Sequence, residues 1–390
     1  MKRNKRHDEK NIVFVLYVIF VLTSAIALTS WAMIHPDHIV NSVLKVVRYL
    51  TYVGCAVCIA FKLWKGQYSK CALCFLIAMF LASGMAMVTS GERTVFLFVL
   101  LLGCVYGSDG KTILKLSCIV QGGVLLITVF AAVTGITNNF IVDEERMRYD
   151  LGFAWTSYAP NLLLFVSMQY MLIRRNKITW WELVGIEAMN AFIFSLTDTK
   201  MSFGVLTVLV CLMALNKIKA VRIRLLKMKQ CLFSLKKECM LLPWICAVVA
   251  ILLPLYRQES TIWTVLNKVF TSRLELGKNA LTQYGISLFG QHINMQGFSV
   301  LGQEVGIYNY VDSSYLQIAI RYGVVLLVLV CALYSMGLMK MCKKKDGRAF
   351  LFLFVILFIS IEDPFLFDAA FNLFPAFILC DKDMIFKEKR

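Results

Sequence analysis

The chain has 390 residues, of which 59% are hydrophobic and only 17% charged, with a mean hydropathy of +0.70 and a formal net charge of +17. That balance excludes an ordinary soluble domain and a disordered chain, and fits a polytopic membrane protein. The excess of positive charge is then evidence about topology before it is evidence of affinity for nucleic acid.

Apolar runs recur near the roughly twenty residues an α-helix needs to cross a hydrocarbon core about 30 Å thick. They predict twelve spans: 12–34, 43–61, 71–89, 94–107, 116–136, 159–173, 180–196, 201–215, 239–256, 314–336, 349–361 and 367–380. Helices are expected because lipid offers no partner to backbone polar groups, and a β-barrel would show shorter, alternating segments. The first run exceeds the apolar core of a signal peptide and no small-x-small site follows it, so it reads as a retained span.

With the N-terminus inside, most of the 41 lysines and arginines fall in the tails and in alternate loops, which places both termini in the cytoplasm. The most basic stretch, NKIKAVRIRLLKMKQCLFSLKK (216–237), reads as a topology determinant touching anionic headgroups, and no nucleic acid partner is expected. None of the thirteen cysteines lies in an outer loop, which excludes an extracytoplasmic disulfide framework. Cys55, Cys58, Cys71 and Cys74 form a CxxC…CxxC pattern. Within spans they read as small apolar residues, and no metal is expected.

No linker or repeat divides the chain, so residues 1–390 form a single membrane domain. Two outer segments are long, 137–158 and 257–313, and the second is a large extracytoplasmic loop. Within TSRLELGKNALTQYGISLFGQHI (271–293), Leu274, Gly277, Leu281 and Tyr284 share one helical face while Arg273, Glu275 and Lys278 point elsewhere. The pattern predicts an amphipathic helix on the outer surface or packed over the bundle.

Ionisable groups near membrane depth are costly, so each is a candidate functional group. Ser314, Gln317 and Arg321 stand at i, i+3 and i+7 and form a polar stripe on an otherwise apolar helix. The apolar stretch 181–215 is broken by Thr197, Asp198, Thr199 and Lys200, where a helical hairpin turns and Asp198 is placed to pair with Lys200. The segment 143–161 supplies Arg146, Arg148 and a Gly152 suited to a tight turn. Arg273 and Lys278 lie in the amphipathic helix, followed by His292, Glu304 and Asp312. Guanidinium groups match phosphate oxygens with forked hydrogen bonds, so these cations outline a diphosphate site, and the carboxylates and histidine supply candidate bases.

RYDLGF followed by APN (148–161), SLTDTK (195–200), SRLELGKNALTQYGISLFGQ (272–291), VDSSYLQIAIRYG (311–323) and EDPFLFDAAFN (362–372), in this order, resemble the O-antigen ligase/polymerase superfamily, and in particular Wzy-type polysaccharide polymerases. Where many members carry Ser-Arg in the hairpin turn, this chain has Thr199-Lys200, and Ser313 replaces an asparagine common after the aspartate. The resemblance implies an all-α bundle similar to the GT-C class of membrane glycosyltransferases, in a bacterial cytoplasmic membrane. The implied reaction is metal-independent and needs no cofactor. It moves a growing glycan from undecaprenyl diphosphate onto the next lipid-linked repeat unit, with a flippase and a chain-length regulator as further partners.

Carried over, the resemblance gives Arg148 and Arg273 the leaving diphosphate, with Arg321, Lys200 and Lys278 as further contacts. Asp312, His292 or Glu304 would take the acceptor proton, and Tyr315, Gln317 and Gln291 would orient sugar hydroxyls. Two rival functions are a ligase that passes finished glycan to another acceptor and a transporter of lipid-linked oligosaccharides. The polar groups gather at the outer face and no repeat is visible, which weighs against transport.

Overall fold

The computed structural model describes residues 2–143, 146–218, 236–256, 260–269, 272–295, 297 and 309–380. It is mostly helical, with one two-stranded sheet among the described residues. The helices are α1 (Lys2–Ile26), α2 (Ser30–Ile34), α3 (Ile39–Trp64), α4 (Lys70–Ser90), α5 (Thr94–Val105), α6 (Gly110–Val133), α7 (Tyr158–Arg174), α8 (Trp180–Thr197) and α9 (Lys200–Leu215). They continue as α10 (Lys236–Cys239), α11 (Leu242–Leu252), α12 (Thr261–Val269), α13 (Arg273–Tyr284), α14 (Ser314–Gln317), α15 (Val324–Lys344), α16 (Gly347–Ile359) and α17 (Phe374–Leu379). Strands β1 (Ile141–Asp143) and β2 (Arg148–Tyr149) pair antiparallel between α6 and α7.

Four of these helices, α3, α4, α6 and α15, are long and apolar enough to cross a membrane, and five shorter apolar helices accompany them. The chain is therefore a membrane-embedded helical protein. α3 buries little and turns Val43, Val46, Leu50 and Val53 outward, as expected of a helix whose solvent is lipid. Local chemistry sets several ends. Asp109 accepts hydrogen bonds from the Lys111 and Thr112 amides at the start of α6, and Thr179 and Glu182 form a reciprocal capping box on α8. Lys62, buried in α3, donates to the Cys104 and Tyr106 carbonyls at 2.5 and 2.7 Å, placing a cation at the carbonyl end of α5.

Three expected spans are interrupted. The first stops at Ile26, and the chain turns before α2 because a distant segment bonds to it there. The Ala154 amide donates to the Leu28 carbonyl at 2.7 Å and the Ser30 amide to the Gly152 carbonyl at 2.9 Å. Gly152 has φ +77°, and a Cβ there would meet Thr128 and Ala132 at 3.1 and 3.2 Å, so the tight turn expected at this residue is present and needs glycine.

The span 314–336 is split by a π-helical turn (Ile318–Tyr322) and by Gly323 at φ +99°. The Val324 and Val325 amides donate across to the Ser287 and Leu288 carbonyls rather than along the helix. A Cβ on Gly323 would lie 2.5 Å from the Leu288 oxygen. The polar stripe expected over 314–321 is therefore not continuous: the π turn rotates Arg321 away from Ser314 and Gln317.

The final span, 367–380, is helical only over the six residues of α17. Residues 360–373 run irregularly from Ser360, whose carbonyl accepts from the Ser314 amide, past Tyr334 in the middle of α15, and α17 then carries the chain to Cys380, with the Ile378 and Cys380 carbonyls accepting from Lys340. Irregular backbone at this depth persists only where protein replaces water as its partner. Asn372 donates to the Phe365 and Leu366 carbonyls at 3.0 and 2.9 Å and accepts from the Phe374 amide. Gln121 donates to the Ala370 carbonyl at 2.7 Å and is itself held by Gln169, which accepts from Ser117.

Truncating Asn372 leaves the Phe365 carbonyl and Phe374 amide without their partner, at about 1–3 kcal/mol for each buried group. Asn372→Ala is expected to lower the apparent melting temperature of the purified protein in detergent by about 5 °C or more. Val57→Ala, on the outward face of α3, is the control and is expected to change it little.

Candidate functional site

α13 packs over one end of the bundle as expected for an amphipathic helix, burying Leu274, Gly277 and Ala280 against Leu316 and Pro254. Arg273, its first residue, departs from expectation by pointing inward. Its Nε lies 3.4 Å from Asp312, and its Nη1 lies 3.3 Å from Asp363 and 3.8 Å from Glu362. One guanidinium thus holds three carboxylates from two distant parts of the chain.

Glu362 and Asp363 follow the carbonyl end of α16, an unfavourable place for negative charge. Ser314 fixes their backbone: its hydroxyl donates to the Asp363 carbonyl at 2.5 Å and accepts from the Leu366 amide at 3.0 Å. The Glu362 and Asp363 side chains are only 10% and 7% exposed, so water hydrates them poorly. Burial raises Glu362 to about 7 against the pull of Arg273, with Asp363 and Asp312 adding repulsion. Burial likewise raises Asp312 to about 6, opposed by Arg273 and assisted by Asp363. Asp363 moves upward for the same first reason.

Arg273 and Glu362 line only a small hollow of about 20 Å³, while a separate cavity of about 260 Å³ has Ser314, Gln317, Tyr322, Arg48, Tyr52 and Asp368 in its walls and adjoins the cluster through Ser314 and Pro364. Gln317 donates to the Tyr310 hydroxyl at 3.3 Å. Burial raises the Tyr310 phenol, and the charges of Tyr158, Asp312 and Asp368 raise it further, so Tyr310 links the carboxylate cluster to the cavity wall. A largely apolar hollow with a few polar side chains converging on it, Ser314, Gln317 and Asp368 among them, is the kind of space that binds a ligand with both apolar and hydroxylated parts.

The expected convergence of Arg148, Arg273 and Arg321 on one pocket is not what the structure holds. Arg148 donates to the Thr197 carbonyl at 2.8 Å and to the Thr199 hydroxyl, clasping the α8–α9 turn together with Arg146, which pairs with Asp198. Arg146 thereby displaces the expected Asp198–Lys200 pair, and Lys200 is exposed. Arg321 pairs with Glu92 at 2.5 Å, because the π turn swings it toward the α4–α5 connection. Lys278 has no hydrogen bond or ion pair with another described residue.

Tyr315 is fully buried and donates to the Leu357 carbonyl at 3.0 Å, so it ties α14 to α16 rather than facing a ligand. Gln291 donates to the carbonyls of Tyr284, Gly285 and Ile320, filling the gap that the π turn opens. His292 is exposed, with Nδ1 3.0 Å from the Ser90 carbonyl. Glu304 lies outside the described residues, as does most of the basic segment 216–237. Of the expected residues, Asp312 and Arg273 meet, and Gln317 lies on the neighbouring cavity.

Sequence reasoning used 362–372 for the resemblance alone and gave Glu362, Asp363 and Asp368 no role in the site. The signal was three acids inside an apolar, aromatic run, which is costly enough to mark function by itself. No family model, characterised protein or solved structure matches this chain.

Asp312 and Glu362 hold protons in the folded protein up to about pH 6 and 7, where the unfolded chain, with ordinary carboxylates near 4, has released them. Their contribution to stability is present in full below about pH 4 and disappears as pH rises through 6 to 7. The melting temperature is expected to fall between pH 5 and pH 8, and Glu362→Gln is expected to flatten that fall. An identical slope in the variant would remove Glu362 from the titrating cluster.

Proposed function

We propose that this chain is a metal-independent membrane glycosyltransferase that polymerises undecaprenyl-diphosphate-linked oligosaccharide repeats at the outer face of a bacterial cytoplasmic membrane. The observation that supports the reading is the set of three carboxylates gathered around Arg273, in which burial raises Asp312 to about 6 and Glu362 to about 7. In this reading the chain crosses the membrane twelve times with both termini in the cytoplasm. The distribution of lysine and arginine supports that sidedness.

In the transfer, the acceptor hydroxyl oxygen bonds to the anomeric carbon of the donor while the bond from that carbon to the diphosphate breaks. The hydroxyl proton must leave as the new bond forms, and Asp312 is assigned as the base, because burial raises it to about 6, where it is ionised near neutrality yet still basic enough to accept. Arg273 serves by holding the carboxylates in register and offsetting their charge rather than by binding diphosphate, since its guanidinium is already surrounded by acids. Gln317 orients sugar hydroxyls from the cavity wall.

Deletion of the gene distinguishes this reading from its rivals. Loss of a polymerase leaves single repeat units at the surface, loss of a ligase strands long chains on the lipid carrier, and loss of a flippase traps single units on the cytoplasmic side. With purified protein and a lipid-linked repeat, Asp312→Asn is expected to lower polymer formation about 100-fold or more. The exposed Arg93→Ala is expected to leave it unchanged. Full activity in Asp312→Asn would sink the assignment of the base.

A further inference from the structure

We propose that the groove between α1 and α3 is a side entrance for the lipid-linked substrate, and that Arg48 anchors its diphosphate there. The proposal rests on the polymerase reading for the identity of the lipid. Its geometry stands apart from the carboxylate cluster.

Two hollows meet at the end of α1. One is the cavity of about 260 Å³ already described, and the other, of about 140 Å³, has Met33, Leu44 and Lys45 in its walls. Ala27 and Arg48 line both. The meeting is possible because α1 ends at Ile26: Ala27 and Leu28 form a turn, and the wall that a continuing helix would have built is missing.

Arg48 projects from a helix whose other faces show Val43, Val46 and Leu50 to the surroundings. Its Nη2 donates to the Thr23 carbonyl at 2.9 Å, while its Nε is out of reach of water and has no hydrogen-bond partner. Among the described residues no carboxylate pairs with it, in contrast to Arg273 and Arg321. A guanidinium that lines both hollows and is paired with no carboxylate among the described residues is matched by an anion that accepts in a forked geometry. Lys45, one turn earlier on the same helix, adds a second cation at the entrance.

The chemistry that fits is a phosphate or diphosphate headgroup on a long apolar chain. The headgroup sits against Arg48 and Lys45, the chain lies along the exposed face of α3, and the sugar end extends toward Gln317, Asp368 and the carboxylates. A polyprenyl diphosphate is the occupant to which this arrangement points, because its sugar must reach the base while its tail stays in lipid.

The test uses the full chain in phosphatidylcholine nanodiscs, with undecaprenyl diphosphate as the probe and native mass spectrometry as the readout. A second arm substitutes phosphatidylglycerol at the same concentrations. Saturable binding of the diphosphate is expected, weakened tenfold or more in Arg48→Gln and less in Arg48→Lys, which keeps the charge and loses the fork. Ala27→Trp fills the junction of the two hollows without removing charge, and is expected to weaken binding comparably.

Unchanged affinity in both Arg48→Gln and Ala27→Trp overturns the proposal, and so does phosphatidylglycerol binding as tightly as the probe. Should Arg48→Gln fail to fold, Arg48→Lys and Ala27→Trp carry the decision. Arg48-dependent binding by a protein that makes no polymer sinks the polymerase reading alone. Polymer made at the wild-type rate by Arg48→Gln sinks the entrance alone.

Discussion

Residues 360–373 place an irregular stretch of backbone inside a helical bundle, where neither lipid nor water can satisfy its amides and carbonyls. The surrounding helices are built to that demand. Gln121 from α6 reaches the Ala370 carbonyl and is oriented by Gln169 and Ser117, while Tyr334 from α15 and Asn372 serve the Leu366 carbonyl. Ser314 closes the other end. A regular helix over the same residues would need none of these groups, but it could not turn Asp363 toward one neighbour and Asp368 toward a cavity within five residues.

The carboxylate cluster inherits its properties from this arrangement. Glu362 and Asp363 sit past the carbonyl end of α16 in poorly hydrated surroundings, so both the helix and the burial oppose their ionisation. Arg273 comes from the opposite side, on a helix packed over the bundle through Gly277, which lets Leu316 and Pro254 approach closely. Charge and packing therefore act together: the apolar face of α13 sets the height at which its first side chain meets the acids.

The expected spans at 43–61, 71–89 and 201–215 coincide with helices because an uninterrupted apolar run carries its own instruction. The broken ones were illegible because the cause lies far along the chain. Nothing near Ala27 announces that residues 152–154 will bond there, and nothing near Val324 announces Ser287 and Leu288. The last span had a local signal, since Pro364, Asp368, Asn372 and Pro375 are poor residues for a helix, but its apolar and aromatic content outweighed them. In the site, Asp312 was legible as an acid at a helix start. Its company was not, because the pairing of Arg321 with Glu92, or of Arg273 with Glu362, is a property of the folded bundle that a single sequence does not print.

The interruption at Gly323 has a mechanical meaning. Because the amides of Val324 and Val325 are held by the chain at Ser287 and Leu288, no ladder of helical bonds runs unbroken from Ser314 to Lys344. The short piece, with Ser314 and Tyr315, is bonded to the chain at Leu357, Ser360, Asp363 and Leu366, while the long piece continues as α15. The crossing bonds at Gly323 therefore stand in for one helical turn, and every turn of α15 below them keeps its own ladder.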